Sequence, residues 1–262
     1  MAHALPCPVV ATTRSGTWGG ATTPSHVTLS ALDVTDRAAD FRCIEAASSV
    51  VIAFAPARVS GAPVTDAARH ALYMEGTRAV VRALPPATRL VFVGSTSALA
   101  AHDGWVDETC DAPPQTTRGR AQRAAEAIVL GRAAPSIVLR MGGLIGPGRG
   151  LDRLYRSRPQ TEPRPGDGMS ATNLIHQDDA VAAVVAALTR PNVRGVVHVV
   201  ADGHVARRTM YREIASRAGV EAPRWAEAPK CAAVHGKRVS NARLKLALGV
   251  RLRHPLAYPW LD

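Results

Sequence analysis

The chain is poor in lysine: Lys230, Lys237 and Lys245 are its three lysines among 32 basic residues. Its net charge of +11 therefore rests on arginine, and with aromatic residues at only 4% no Lys/Arg run is interleaved with Phe or Tyr. That pattern, together with abundant alanine, reads as a compositional bias rather than a nucleic-acid surface. Cysteine is scarce as well. Cys7, Cys43, Cys110 and Cys231 lie far apart, with no C-x-x-C pair and no histidine at ligand spacing. Neither a zinc site nor a disulfide framework is indicated, and reduced thiols are expected. No run approaches about 18 uninterrupted apolar residues, and no basic segment leads into a long apolar one near Met1, so neither membrane spanning nor export is expected. The expected location is cytoplasmic.

What is present suits one large α/β domain spanning 1–262. Leu90-Val91-Phe92-Val93 is a continuous apolar run, the pattern of a parallel strand buried on both faces. Gly94 ends it, and Ser95-Thr96-Ser97 follow at the carboxyl end, where open α/β sheets bind ligands. Further strands are read at Pro8–Thr13, His26–Leu29, Ser49–Pro56, Ser136–Arg140 and Gly195–Val200, and helices at Ala67–Leu84, Ala180–Leu188 and Thr209–Ala218.

The stretch Arg118-Gly119-Arg120-Ala121-Gln122-Arg123-Ala124-Ala125-Glu126, placed after a strand that ends in a Ser/Thr cluster, resembles the extended and atypical short-chain dehydrogenase/reductases, the NAD(P)-dependent epimerase/dehydratase family. Its members commonly run like YGRSKLAAE there. Further similarity lies in Trp105-Val106-Asp107-Glu108, in Arg140 to Arg149, in Asn173-Leu174-Ile175-His176-Gln177-Asp178-Asp179 and in Lys237-Arg238-Val239-Ser240-Asn241-Ala242-Arg243-Leu244-Lys245. The resemblance implies a Rossmann-like doubly wound parallel sheet with a small C-terminal substrate lobe drawn mainly from about 150–178 and 202–262. It also implies NADP or NAD as cofactor and a small polar metabolite as substrate.

Residue by residue, the resemblance puts Ser95 at the family's Ser/Thr position, Arg118 where the Tyr general acid/base stands, and Gln122 where the Lys stands. Arginine stays protonated at any working pH, so it cannot replace the phenol. Arg14 falls where NADP-preferring members meet the 2′-phosphate, Asp33 and Val34 beside the adenine, and Ala53, Phe54 and Ala55 along the adenosine ribose. A solvated loop charge is the alternative for Arg14.

The family's opening strand and G-x-x-G-x-x-G turn have no counterpart before Pro8. The first βα unit is thus expected to be missing, and with it the main pyrophosphate site. Gly16-Thr17-Trp18-Gly19-Gly20 is a poor substitute, because Ala21–His26 has no helical periodicity and carries Pro24. Direct pairing of the strands that flank the gap, cover by a partner subunit in a homo-oligomer, or a misassigned start would each compensate for the loss.

Elsewhere, the glycines of Met141–Arg149 are expected to border the cleft, and the Arg- and Pro-rich Leu151–Gly168 to form either a mobile lid for an anionic substrate or a solvated basic loop. Asp107 and Glu108 read as surface loop carboxylates, with acids near the substrate as the alternative. Asp178 or Asp179 reads as the cap of the following helix, and no metal ligand is expected of His176. Three functional readings stay open: a redox enzyme, a ligand-binding or scaffold protein that has lost redox chemistry, and a non-redox isomerase or cyclase using Ser95, Arg118 and Arg120 as hydrogen-bond donors.

Overall fold

In the computed structural model, residues 4–5, 7–17, 22–55, 64–148, 162–229 and 231–256 are described. The chain divides into two compact units, one made of 1–100, 113–140 and 184–196, the other of 101–112, 141–183 and 197–262.

The first unit opens with β1 (Val9–Thr13) and β2 (Val27–Ala31), which pair in parallel from Val9↔Val27 to Thr13↔Ala31. A short helix α1 (Arg42–Glu45) leads to β3 (Ser49–Ile52), which pairs in parallel with β4 (Arg89–Ser95). The order of the larger sheet is β3-β4-β6-β9, with β6 at Ser136–Met141 and β9 at Gly195–Val199. Leu90, Val91 and Phe92 of β4, and Ile137, Val138 and Leu139 of β6, are wholly inaccessible, as their unbroken apolar runs require of central parallel strands.

Among the described residues β1 and β2 form a sheet of their own. No pairing of β1 with β3 is present among the described residues. A shared core joins the two sheets instead: Leu32 and Val34 beyond β2, Ile44 of α1, Ile52 and Phe54 around β3, and Phe92 of β4 pack together.

The helical stretch read at 67–84 is broken into three pieces. Helix α2 (Asp66–His70) passes through a π-helical turn, Ala71–Gly76, into α3 (Thr77–Ala83). Such turns widen the helix by one residue and often mark functional sites. Here the turn packs Gly76 onto Val34: a β-carbon at 76 would stand 2.8 Å from Val34 Cγ2. Helix α4 (Thr117–Leu130) is capped by Thr116, whose Oγ1 accepts the Gly119 N–H at 3.0 Å. Arg89, buried at the start of β4, donates to the carbonyls of Ala187, Arg190, Pro191 and Val193, satisfying the end of helix α5 (Gln177–Thr189).

In the second unit, β5 (Gly104–Val106) pairs in parallel with β10 (Lys237–Val239), and β7 (Gly143–Ile145) with β8 (Leu174–His176). Helix α6 (Arg207–Ala218) ends on Gly219 in the left-handed conformation, and the short α7 (Ala242–Leu246) follows β10. Ile145, Ala201, Met210, Tyr211 and Ile214 form the core of this unit, with Leu174 and Trp225 against it.

Candidate active site

Parallel strands deliver the candidate residues of the first unit to their carboxyl ends. Arg14 follows β1 and is exposed. Asp33 follows β2, and its Oδ1 accepts from Thr35 N at 2.9 Å and Thr35 Oγ1 at 2.6 Å. These bonds, side-chain first, lower the Asp33 pKa; burial opposes them, and the Arg14 guanidinium adds the least of the lowering influences. Val34 is partly buried against Gly76. After β3, Phe54 turns into the core, while Ala53 and Ala55 stay exposed.

At the end of β4, Ser95 is half-buried and its Oγ accepts the Ser97 N–H at 3.2 Å. Helix α4 begins against this turn: a β-carbon at Gly119 would come within 2.5 Å of the Ser97 carbonyl oxygen. The glycine of the 118–122 stretch therefore permits a close approach of helix to strand end. Arg118 is exposed at the start of α4, whereas Gln122 is buried. The Gln122 Oε1 and the Ser97 Oγ are buried without a hydrogen-bond partner, two polar atoms that a bound polar group would satisfy.

Sequence reasoning missed Tyr73. The π-helical turn brings its buried phenol to α4. Burial pushes the Tyr73 pKa up, against the opposing pull of the Arg118 guanidinium and a hydrogen bond from Gln122. Tyr73 lies within the helix read at 67–84, and the Arg118 and Gln122 that face its phenol lie far along the chain, beyond the reach of local pattern. Within the helix, Glu126 forms a buried two-point ion pair with Arg140, at 3.0 and 2.8 Å.

The residues expected along the adenosine stand after the carboxyl ends of β1, β2 and β3, and two orphaned polar atoms lie at β4 and α4. No glycine-rich turn at the start of a helix lies among the described residues at the end of β1. Gly16, at φ 68°, serves packing: a β-carbon there would meet Ala31 N at 3.2 Å. Trp18, Gly19 and Gly20 of the proposed substitute loop lie outside the described residues.

Several expectations for the second unit change. Gly142 and Gly143 let the chain approach β8 itself, since a β-carbon at 142 would lie 2.7 Å from Asn173 O and one at 143 would lie 2.9 Å from Leu174 Cδ2. Glu108 is not a surface carboxylate: it accepts the buried His198 N–H at 2.8 Å, while Asp107 holds Thr109. Asp179 is fully buried and accepts from Arg253 N and His254 N, a tertiary role in place of helix capping. Of the expected basic lid, Arg153, Arg156 and Arg158 lie outside the described residues. Arg164 is buried, bonds the Tyr211 hydroxyl and sits 4.1 Å from that ring's centroid, so it is part of the core rather than a mobile, solvated charge.

The NAD dependent epimerase/dehydratase family profile matches residues 2–201. The chain is 30% identical over 168 residues to protein YeeZ of Escherichia coli K12, a match that covers 64% of this chain and 59% of that protein. It thus spans less than two thirds of that curated relative. A putative NAD-dependent epimerase/dehydratase from Methylobacillus flagellatus is similar at 26% identity and a TM-score of 0.65, over 94% of this chain and 84% of that one. UDP-glucuronic acid 4-epimerase of Bacillus cereus, solved with NAD, shares the fold at 16% identity and a TM-score of 0.70, over 89% of this chain and 78% of that one. With parallel strands delivering its candidate residues to one end, and a family match over most of its length, the chain belongs to the NAD dependent epimerase/dehydratase family.

Proposed function

We propose that this is an epimerase/dehydratase-like protein of the atypical short-chain dehydrogenase/reductase type, cytoplasmic, that binds a small polar metabolite and carries degenerate redox machinery. The observation that carries this reading is the state of the proton-relay positions. Arg118 is an exposed cation and Gln122 a buried amide, and neither exchanges a proton near neutral pH. The neighbouring phenol, Tyr73, is held above its ordinary pKa by burial, opposite to what a relay at neutral pH needs.

NADP or NAD, when bound, supplies a hydride acceptor or donor. Arg14, Asp33 and the Ala53–Ala55 edge would hold its adenosine end, and Gln122 Oε1 and Ser97 Oγ would accept hydroxyl protons beside β4. Weak binding is expected, because adenosine contacts alone leave the pyrophosphate without backbone donors. Ser95 and Arg118 supply donors that orient a carbonyl or carboxylate and stabilise developing negative charge. Sugar nucleotides, found with NAD in solved structures of the same fold, are the substrate class to try first. Unpaired Gln122 Oε1 and Ser97 Oγ beside these donors also favour a second reading, a non-redox isomerase or a ligand-binding protein using the same cleft.

The test is ultraviolet difference titration of wild type against Tyr73→Phe. The Tyr73 phenol is expected to ionise above the ordinary tyrosine range. Ionisation below that range would make it an activated acid/base and remove the ground for a degenerate relay.

A further inference from the structure

The second unit gathers two imidazoles and a carboxylate that lie far apart in sequence. His176 ends β8, Asp178 stands in the first turn of α5, and His254 arrives from the segment after α7. One ligand atom from each lies within 4.8 Å of the other two. His176 Nδ1 stands 3.5 Å and His254 Nε2 3.4 Å from the same oxygen, Asp178 Oδ2.

Two geometries bear on those separations. A charge-assisted hydrogen bond would bring nitrogen and carboxylate oxygen to about 2.7–2.9 Å. Nitrogen and oxygen ligands at about 2.0–2.1 Å from a tetrahedral ion stand roughly 3.3–3.4 Å apart. The two nitrogen–oxygen separations are close to the second spacing, the 3.4 Å contact also being within reach of a weak hydrogen bond, and the third pair lies within 4.8 Å; an ion would draw the ligand atoms together and part the imidazole rings.

The cluster is also built. Asp179, fully buried, accepts the Arg253 N–H at 2.7 Å and the His254 N–H at 3.0 Å, so the backbone that carries His254 is pinned to the helix turn that carries Asp178. The two imidazole rings lie 3.8 Å apart at 44°. Gly146, at φ 131°, leaves room for His176, whose Nε2 a β-carbon there would approach to 3.0 Å. His176 is 3% exposed and Asp178 51%, so the site has a buried floor and an open mouth.

We propose that His176, Asp178 and His254 bind a divalent transition cation of the zinc class, through Nδ1, Oδ2 and Nε2. Two imidazoles and one carboxylate suit zinc, cobalt or iron(II) rather than magnesium or calcium. With three protein ligands, the remaining coordination positions would take water, the pattern of an exchangeable rather than a closed site. Binding fixes His176 with its proton on Nε2 and displaces the 3.2 Å hydrogen bond that Nδ1 accepts from Asp178 N. From the sequence only His176 and two carboxylates were in view; His254 supplies the third ligand.

The experiment is titration of the chelator-treated full chain with cobalt(II), followed by visible absorption and calorimetry. One equivalent is expected to bind with ligand-field bands and no thiolate charge-transfer band, which separates this site from the four free cysteines. His254→Gln and, at the half-exposed position, Asp178→Asn should each weaken binding at least about tenfold, while His102→Gln changes nothing. Failure of wild type to bind cobalt or zinc at millimolar concentration overturns the proposal. So does binding left intact by Asp178→Asn, even if His254→Gln does not fold.

Discussion

Gly119 lies so close to Ser97 that a β-carbon at position 119 would stand 2.5 Å from the Ser97 carbonyl oxygen, and 2.7 Å from Pro114 Cβ. This approach sets the start of α4 against the end of β4, and so sets Arg118 and Gln122 relative to Ser95. Because the obstructing atom is backbone, it cannot rotate away. Gly119→Ala is expected to destabilise the protein by about 1–3 kcal/mol, the usual cost of overpacking. Urea unfolding measures it; a change near zero would mean that the helix slides without loss.

Glu126 and Arg140 make the second rigid link in this unit, each almost fully buried and joined at 3.0 and 2.8 Å. Removing one partner takes from a buried charge the counter-ion that faces it. Glu126→Ala should therefore cost about 3–5 kcal/mol in denaturant unfolding, and replacing both residues with apolar side chains should recover much of that loss. Equal losses for the single and double variants would contradict this account.

His204 gives a pH dependence with a definite sign. Burial, the main cause, holds its pKa below the ordinary 6.5, although its Nδ1–H donates to the Thr172 carbonyl, which works in the opposite direction. The folded state thus binds fewer protons than the unfolded chain once pH falls below about 6.5. The stabilising contribution is complete above that value and declines as pH drops toward the folded pKa. Unfolding free energy measured from neutral to mildly acid pH should fall more steeply in wild type than in His204→Gln. Parallel curves would show that His204 does not contribute.

Much of the first unit was legible because its signals are local. The apolar run at Leu90–Val93 and the strand at Ser136–Arg140 both lie in the buried sheet, and Ser95 does stand at a strand end. The helix read at Thr209–Ala218 starts two residues earlier, at Arg207. What local pattern could not carry was decided by contacts across long stretches of chain. Tyr73 meets α4, Glu108 meets His198, and His254 meets His176 and Asp178. Arg164 looked like a loop charge because Arg usually is one; the hydroxyl and ring of Tyr211 help make its burial tolerable. The glycines at 142 and 143 suggested a ligand, yet the close neighbours are Asn173 and Leu174, and a glycine alone does not say what approaches it.

The most direct test of degenerate redox machinery is calorimetric titration of the folded 262-residue chain with NADPH and with NADH. Heat too weak to fit below millimolar concentration is predicted for both, since the described residues give the pyrophosphate no glycine-rich cradle. Micromolar binding of either would contradict the account and require a phosphate site elsewhere in the chain.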